Sequence, residues 1–228
     1  MNTQSVANRI KLVSLSQGAW RPMKHNRKES ALENQRHGTG SKAKVIVNIC
    51  EHPSLLGVIK LDGNVYLEHR RLTLPSAQDG LRVVPAGREF EHAEYMRNSR
   101  IQRETLIQAF LADYETEKHN APMALNGLYD ASQWPVKELV QRAFRMDVRY
   151  LPCPTDGAWG EWLNETLQAG QFELQDRLVQ AGRHLAEKCA GDGRIFQSVL
   201  DNLKDVCQLA GDFNLLDDPI IRDAAQKL

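Results

Sequence analysis

The sequence predicts an α+β fold, with a small mixed sheet of about four strands and a predominantly helical C-terminal half. Three observations carry that expectation. Before residue 85 the apolar residues tend to alternate, after residue 91 they recur at three and four residues, and one alternating segment returns at 146–151.

Residues 9–16 (RIKLVSLS) alternate apolar and polar side chains up to Gly18, the period of a half-buried strand. Residues 21–44 are polar and basic, with Gly38 and Gly40 and few large apolar side chains, and read as a long loop or weak helix. Residues 43–49 (AKVIVNI) are β-branched, stop at His52-Pro53, and make the second strand.

Residues 54–71 carry two competing signals. Asp62-Gly63 between VIKL and NVYL is a hairpin turn, whereas Leu55, Val58, Ile59, Val65 and Tyr66 fit one helical face. The local reading prefers the hairpin. Leu74-Pro75 opens a turn that leads through Asp79-Gly80 to a third strand at 81–84.

Met96, Ile107, Phe110, Leu111 and Tyr114 mark a long helix from residue 91 to about 118. Trp134-Pro135 opens another, with Val136, Leu139, Val140 and Phe144 as its stripe, and residues 146–151 (MDVRYL) alternate as the fourth strand. A helix or helix pair covers 159–188 with Gly170 as a possible break, and a last helix covers 194–209.

Composition excludes several classes. With 42% apolar and 25% charged residues, the chain has the balance of a globular protein, and no apolar run approaches the roughly 20 residues of a membrane span. The N-terminal residues have no apolar core followed by a small-residue cleavage site, so a cytoplasmic location is the expectation. Cys50, Cys153, Cys189 and Cys207 are widely spaced, form no zinc-type pair, and are expected to be reduced.

The formal net charge of zero conceals a polarity. Residues 1–104 hold 17 Lys and Arg against 10 Asp and Glu, and residues 105–228 hold 12 against 19. Such a chain is suited to an anionic partner or to self-association as a homo-oligomer. His69-Arg70-Arg71 with Arg82 could build an anion-binding face, since each guanidinium supplies a planar fork of donors. Lys42 and Lys44 belong to a basic tract headed by Trp20, and cations beside an aromatic suit single-stranded nucleic acid. The competing readings are a solvated face paired with glutamates and a tryptophan in the core.

No catalytic motif emerges. Glu89, Glu91, His92 and Glu94 crowd the start of a helix, where acidic residues complement the dipole, without a second histidine at metal-ligand spacing. Gly38-Thr39-Gly40-Ser41-Lys42 lacks the full phosphate-loop pattern, and no G-x-S-x-G elbow is present. The expectation is a non-enzyme with neither metal nor cofactor.

Several landmarks recur together: Leu12-Val13-Ser14-Leu15 leading to Trp20, Gly38-Thr39-Gly40 with Lys42, Thr73-Leu74-Pro75, and residues 79–85 (DGLRVVP). Residues 125–135, 150–154, 196–198 and 214–219 complete the series. In this order they resemble a family of uncharacterised proteins of tailed bacteriophages and bacterial mobile elements. Ser76 stands where that family has an aromatic after Leu-Pro. The resemblance spans almost the whole chain and implies one family-wide unit, 1–228, in which residues 1–104 are basic and contain strands, and residues 105–228 are acidic and mainly helical. It also implies a helix over 54–71, which is the expectation carried forward, and a bacterial host cell as the setting.

The resulting functional expectation is an accessory protein of DNA transactions such as recombination. It would bind nucleic acid backbone through Trp20, Lys42, Lys44, Arg70, Arg71 and Arg82. The alternative is an interaction protein, either a subunit of an assembly or an inhibitor of a host factor, whose basic half meets an acidic protein surface.

Overall fold

The structure, a computed structural model, describes residues 7–153, 160–190, 197–214 and 218–227. In chain order the elements are β1 (Ile10–Gly18), β2 (Met23–Asn26), α1 (Arg27–His37), β3 (Val45–Asn48), α2 (Pro53–Arg71), β4 (Leu74–Pro75) and β5 (Arg82–Pro85). Then come α3 (Glu89–Leu125), α4 (Lys137–Ala143), β6 (Arg145–Pro152), α5 (Gly160–Ala190), α6 (Gln197–Phe213) and α7 (Pro219–Lys227). The fold is α+β with a helix-rich C-terminal half. No helix among the described residues is long and apolar enough to cross a membrane.

Two compact units share the chain, one made of residues 1–15, 66–96 and 147–228, the other of residues 16–65 and 97–146. The change of charge sign at residue 104 falls inside α3 rather than at a boundary between them.

The first unit holds most of a four-stranded sheet in the order β4-β5-β1-β6. β5 pairs antiparallel with β1, Ile10 opposite Pro85 and Val13 opposite Arg82, and with β4, Leu74 opposite Val83. Ile10, Leu12 and Val83 bury one face with Ala7, Cys153 and Leu163. Leu74 joins Leu174 and Leu178 of α5, Leu209 and Phe213 of α6 and Ile221 of α7 in a second cluster. α5 runs unbroken through Gly170, where a Cβ would lie 3.2 Å from Leu74 Cδ1. That glycine permits close packing and does not end the helix.

The second unit is built round an aromatic cluster. Trp20 stacks on Phe110 at 5.8 Å with 16° between planes, meets Tyr114 edge-on at 5.8 Å, and lies 5.7 Å from Trp134. Leu55 and Val58 of α2, Ile107 and Leu111 of α3 and Val140 of α4 close the cluster. The stripe expected on α4 is narrower than its spacing suggests, because Val136 and Leu139 are exposed.

Residues 53–71 form one helix, α2, with the hairpin signal Asp62-Gly63 in its middle. The local turn preference loses because the Asp62 carboxylate is buried against Arg103 of α3: Nε lies 2.7 Å from Oδ1 and NH2 lies 3.2 Å from Oδ2. Arg103, 3% exposed, also donates to the Gly18 carbonyl at 2.6 Å, and Gln17 Nε2 donates to Asp62 at 3.3 Å. Of the two readings of 21–44 the helix holds, over 27–37 as α1, and the tract also supplies β2 and leads into β3. α7 lies beyond the helices expected from the sequence, and residues 194–196 of the expected last helix lie outside the described residues.

Two expectations follow. Asp62→Ala leaves a buried guanidinium without its counter-charge and should cost about 3–5 kcal/mol in urea unfolding; a loss below about 1 kcal/mol would show that water or another acid replaces the carboxylate. At Gly63 an added Cβ meets no atom within 4 Å. Gly63→Ala should therefore raise stability by about 0.5–1 kcal/mol, whereas in a hairpin turn the same change would lower it.

Candidate nucleic-acid interface

Residues 21–48 carry seven Lys and Arg against Glu29 and Glu33. They fold as a two-stranded antiparallel ribbon, Met23 opposite Asn48 and Asn26 opposite Val45, with α1 crossing between the strands. α1 has no apolar stripe; its buried residues are Ser30 and Asn34. Its ends are set by capping. Asn26 Oδ1 accepts from the Glu29 amide at 3.0 Å, and Gly38 takes the left-handed conformation, φ 61°, with its amide directed at the carbonyls of Asn34 and Gln35.

Polar side chains tie the element together. Ser30 Oγ donates to the Asn26 carbonyl at 2.6 Å and accepts from the Val45 amide at 2.8 Å. His25 Nε2 lies 2.9 Å from the same oxygen, whose single proton is already donated, so the imidazole is the donor there. Asn34 donates to the carbonyls of Ser30 and Ala43 and accepts from Thr39 Oγ1 and the Ala43 amide, all between 2.6 and 2.9 Å. That set fixes the returning loop on α1.

The result is an open depression of about 930 Å³ including its mouth, lined among others by His25, Arg27, Ser30, Ser41 and Lys44, with no carboxylate in its lining. Lys44 within the lining and Lys42 next to it in the loop are both exposed. Arg36 and His37 share the Glu33 carboxylate, at 2.9 and 3.2 Å. Seven Lys and Arg against two Glu leave the element strongly positive.

Trp20 does not belong to this surface. It is 6% exposed, its ring lies in the aromatic cluster, and Lys24 Nζ sits 5.6 Å from its centroid. No face is left on which a base could stack. Burial lowers the Lys24 ammonium below its ordinary value.

The arginine cluster belongs to the first unit and is already matched by acids. Arg82 donates to Thr73 Oγ1 at 2.6 Å, to the Thr73 carbonyl at 3.0 Å and to Glu173 at 3.4 Å. Arg177 donates to the carbonyls of Arg70, Arg71 and Thr73, at 2.7 to 3.0 Å, and so caps the C-terminal end of α2. Arg71 is bound to Glu68 at 2.6 Å, with Asp205 at 3.2 Å and Glu91 at 3.5 Å. Arg70 is half exposed, 3.9 Å from Glu173. Burial alone would raise the Glu173 carboxyl, but Arg177, Arg82 and Arg70 outweigh it and hold the group below its ordinary value. In the adjoining groove Arg70, Arg71 and Arg177 face Glu173, Asp176 and Asp205, three charges against three. A phosphate there would have to displace a carboxylate, so of the six sequence candidates only Lys42 and Lys44 stand in a surplus of positive charge.

The acidic cluster at the start of α3 is similarly engaged: Glu89 pairs with Lys11 at 2.8 Å and Glu91 with Arg88 at 2.8 Å. His92 is buried in a hydrogen-bonded chain, His92 Nε2 2.9 Å from His69 Nδ1 and His92 Nδ1 2.6 Å from the Tyr150 hydroxyl. One proton lies between each pair of atoms, so both rings are accommodated neutral. Sequence reading missed this chain because its members are far apart in sequence.

Burial, reinforced by His92 and Arg82, lowers His69 from its ordinary 6.5 to about 3; burial lowers His92 to about 4 against the opposing pull of Glu68. Burial, reinforced by Glu89, pushes the Tyr150 hydroxyl up to about 12. With folded values below unfolded ones, the unfolded chain takes up more protons in acid. Stability from this pair should be level above about pH 6.5 and fall toward pH 4, by up to about 1.4 kcal/mol per pH unit for each histidine. His92→Gln should reduce that slope in denaturant titrations at several pH values; an unchanged slope would assign the acid sensitivity to other groups. The chain matches no protein-family model, no curated protein and no solved structure.

Proposed function

We propose that the chain is a non-enzymatic nucleic-acid-binding accessory protein whose contact surface is the β2–α1–β3 element. The carrying observation is the depression lined by Arg27, Lys44 and His25 without a carboxylate, with Lys42 exposed at its side. Ammonium and guanidinium groups in such a setting gain from a polyanion, because every phosphate they neutralise releases condensed counterions. Hydroxyl and amide donors of the loop, among them Ser41, suit phosphate oxygens and carry no base preference of their own. The phage or mobile-element setting that the resemblance implies agrees with such a role.

Binding to labelled DNA, followed by fluorescence anisotropy across a salt series, tests this reading. The logarithm of the association constant should fall linearly with the logarithm of salt. Lys42→Ala with Lys44→Ala should make that slope shallower by about two and weaken binding at low salt. Binding indifferent to salt, or no binding at low salt, would overturn the proposal in favour of an acidic protein surface as the partner.

A further inference from the structure

Resting on that reading, we infer that the partner is duplex DNA rather than a single strand, entered through its major groove by the β2–β3 ribbon. Single-strand recognition without sequence preference relies on aromatic rings as platforms for successive bases. Residues 21–48 contain no Phe, Tyr or Trp, and the neighbouring Trp20 has its ring enclosed by Phe110, Tyr114, Trp134 and Lys24. The surface that is available has a different form.

Along the ribbon the side chains alternate. Lys24 and Val47, opposite each other, lie on the inward face, with Lys24 over Trp20 and Val47 packed on the aromatic cluster. Met23, His25, Ile46 and Asn48 point the other way, as two directly opposed pairs, Met23 with Asn48 and His25 with Ile46. Met23 is 63% and Ile46 54% exposed. Two apolar side chains held out on a rigid ribbon in this way have no role in the core of their own unit.

Dimensions and charge select the occupant. Two paired strands lie about 4.8 Å apart, so the ribbon with its flanking side chains is narrower than a B-form major groove of about 12 Å, which admits a two-stranded ribbon. The groove floor offers thymine methyl groups to apolar side chains and donor and acceptor edges to an amide, while His25, whose Nε2–H is held by Ser30, keeps only Nδ1 as an acceptor. Asn48 at present donates to Glu51 at 3.2 Å, an exposed contact that a base edge could replace. Arg27 and Lys28 at the start of α1 and Lys44 immediately before β3 sit at the Asn26–Val45 end of the ribbon, where they can meet phosphates beside the groove. An A-form RNA duplex has a major groove too narrow and deep for the same entry.

The test uses the full chain with three labelled probes of one sequence: a 20-base-pair DNA duplex, its single strand, and the matching RNA duplex. Duplex DNA should bind about tenfold or more tightly than either alternative. Met23→Ala with Ile46→Ala should weaken duplex DNA binding several-fold without altering the salt slope, because neither side chain neutralises a phosphate. Equal or tighter binding of the single strand or the RNA, or duplex binding unaffected by the ribbon variant, would overturn the inference and leave the nucleic-acid reading standing. Absence of binding to all three probes would overturn both.

Discussion

The buried pair Asp62–Arg103 is the constraint on which the second unit depends. Arg103 reaches three partners from one side chain: both oxygens of Asp62 and the carbonyl of Gly18 at the end of β1. A charge pair away from water costs several kilocalories per ion in desolvation and is tolerated only when its hydrogen-bonding capacity is used. Here it holds α2 and α3 in the register that presents Leu55 and Val58 to Ile107, Phe110 and Tyr114. Packing specifies how tightly the helices approach; the ion pair specifies which faces meet.

Charge serves two separate purposes in this chain. In the first unit, arginines are structural: Arg177 terminates α2, Arg82 holds Thr73, and Arg71 is surrounded by Glu68, Asp205 and Glu91. In residues 21–48, most cations stand without that degree of compensation. The formal polarity between halves of the sequence is thus resolved within the folded units, because acids from beyond residue 104, such as Glu173 and Asp205, neutralise arginines from before it. A count of charges along the chain could not separate these uses. Their separation depends on which helix each carboxylate reaches.

The legible stretches of the sequence were those where apolar periodicity is strong. β1, β3, β5 and β6 lie where alternation placed strands, and Met96, Ile107, Phe110, Leu111 and Tyr114 are buried on α3 as their spacing required. α1 read only as a loop or weak helix because its inward residues are Ser30 and Asn34, which leave no hydrophobic pattern, although Asn26 followed by Glu29, with Gly38 beyond, is a capping signal. β2 and β4 are too short to show a period. The hairpin signal at Asp62-Gly63 misled because turn chemistry is local and the partner that overrides it lies 41 residues away. Of the site, the basic character of the N-terminal tract was legible, and a core position for Trp20 and glutamate pairing of the arginines stood among the readings; which carboxylates reach Arg71 and Arg82 was not legible, since that depends on distant side chains.

The use of Ser30 and Asn34 in place of apolar residues has a thermodynamic consequence for the 21–48 element. Detaching α1 and its returning loop exposes mostly backbone and polar groups, whose hydration lowers rather than raises heat capacity, so that step lacks the positive heat-capacity change of exposing hydrocarbon; β2 and β3, with Lys24 over Trp20 and Val47 on the aromatic cluster, do not share this property. The order of α1 and its loop therefore rests on hydrogen-bond geometry and varies little with temperature in the way that burial of hydrocarbon does. An anionic ligand bridging α1 and the returning loop would add to that order at no cost to the aromatic cluster beneath. Residues on this surface are free to change in evolution without the fold of the rest of the unit having to follow.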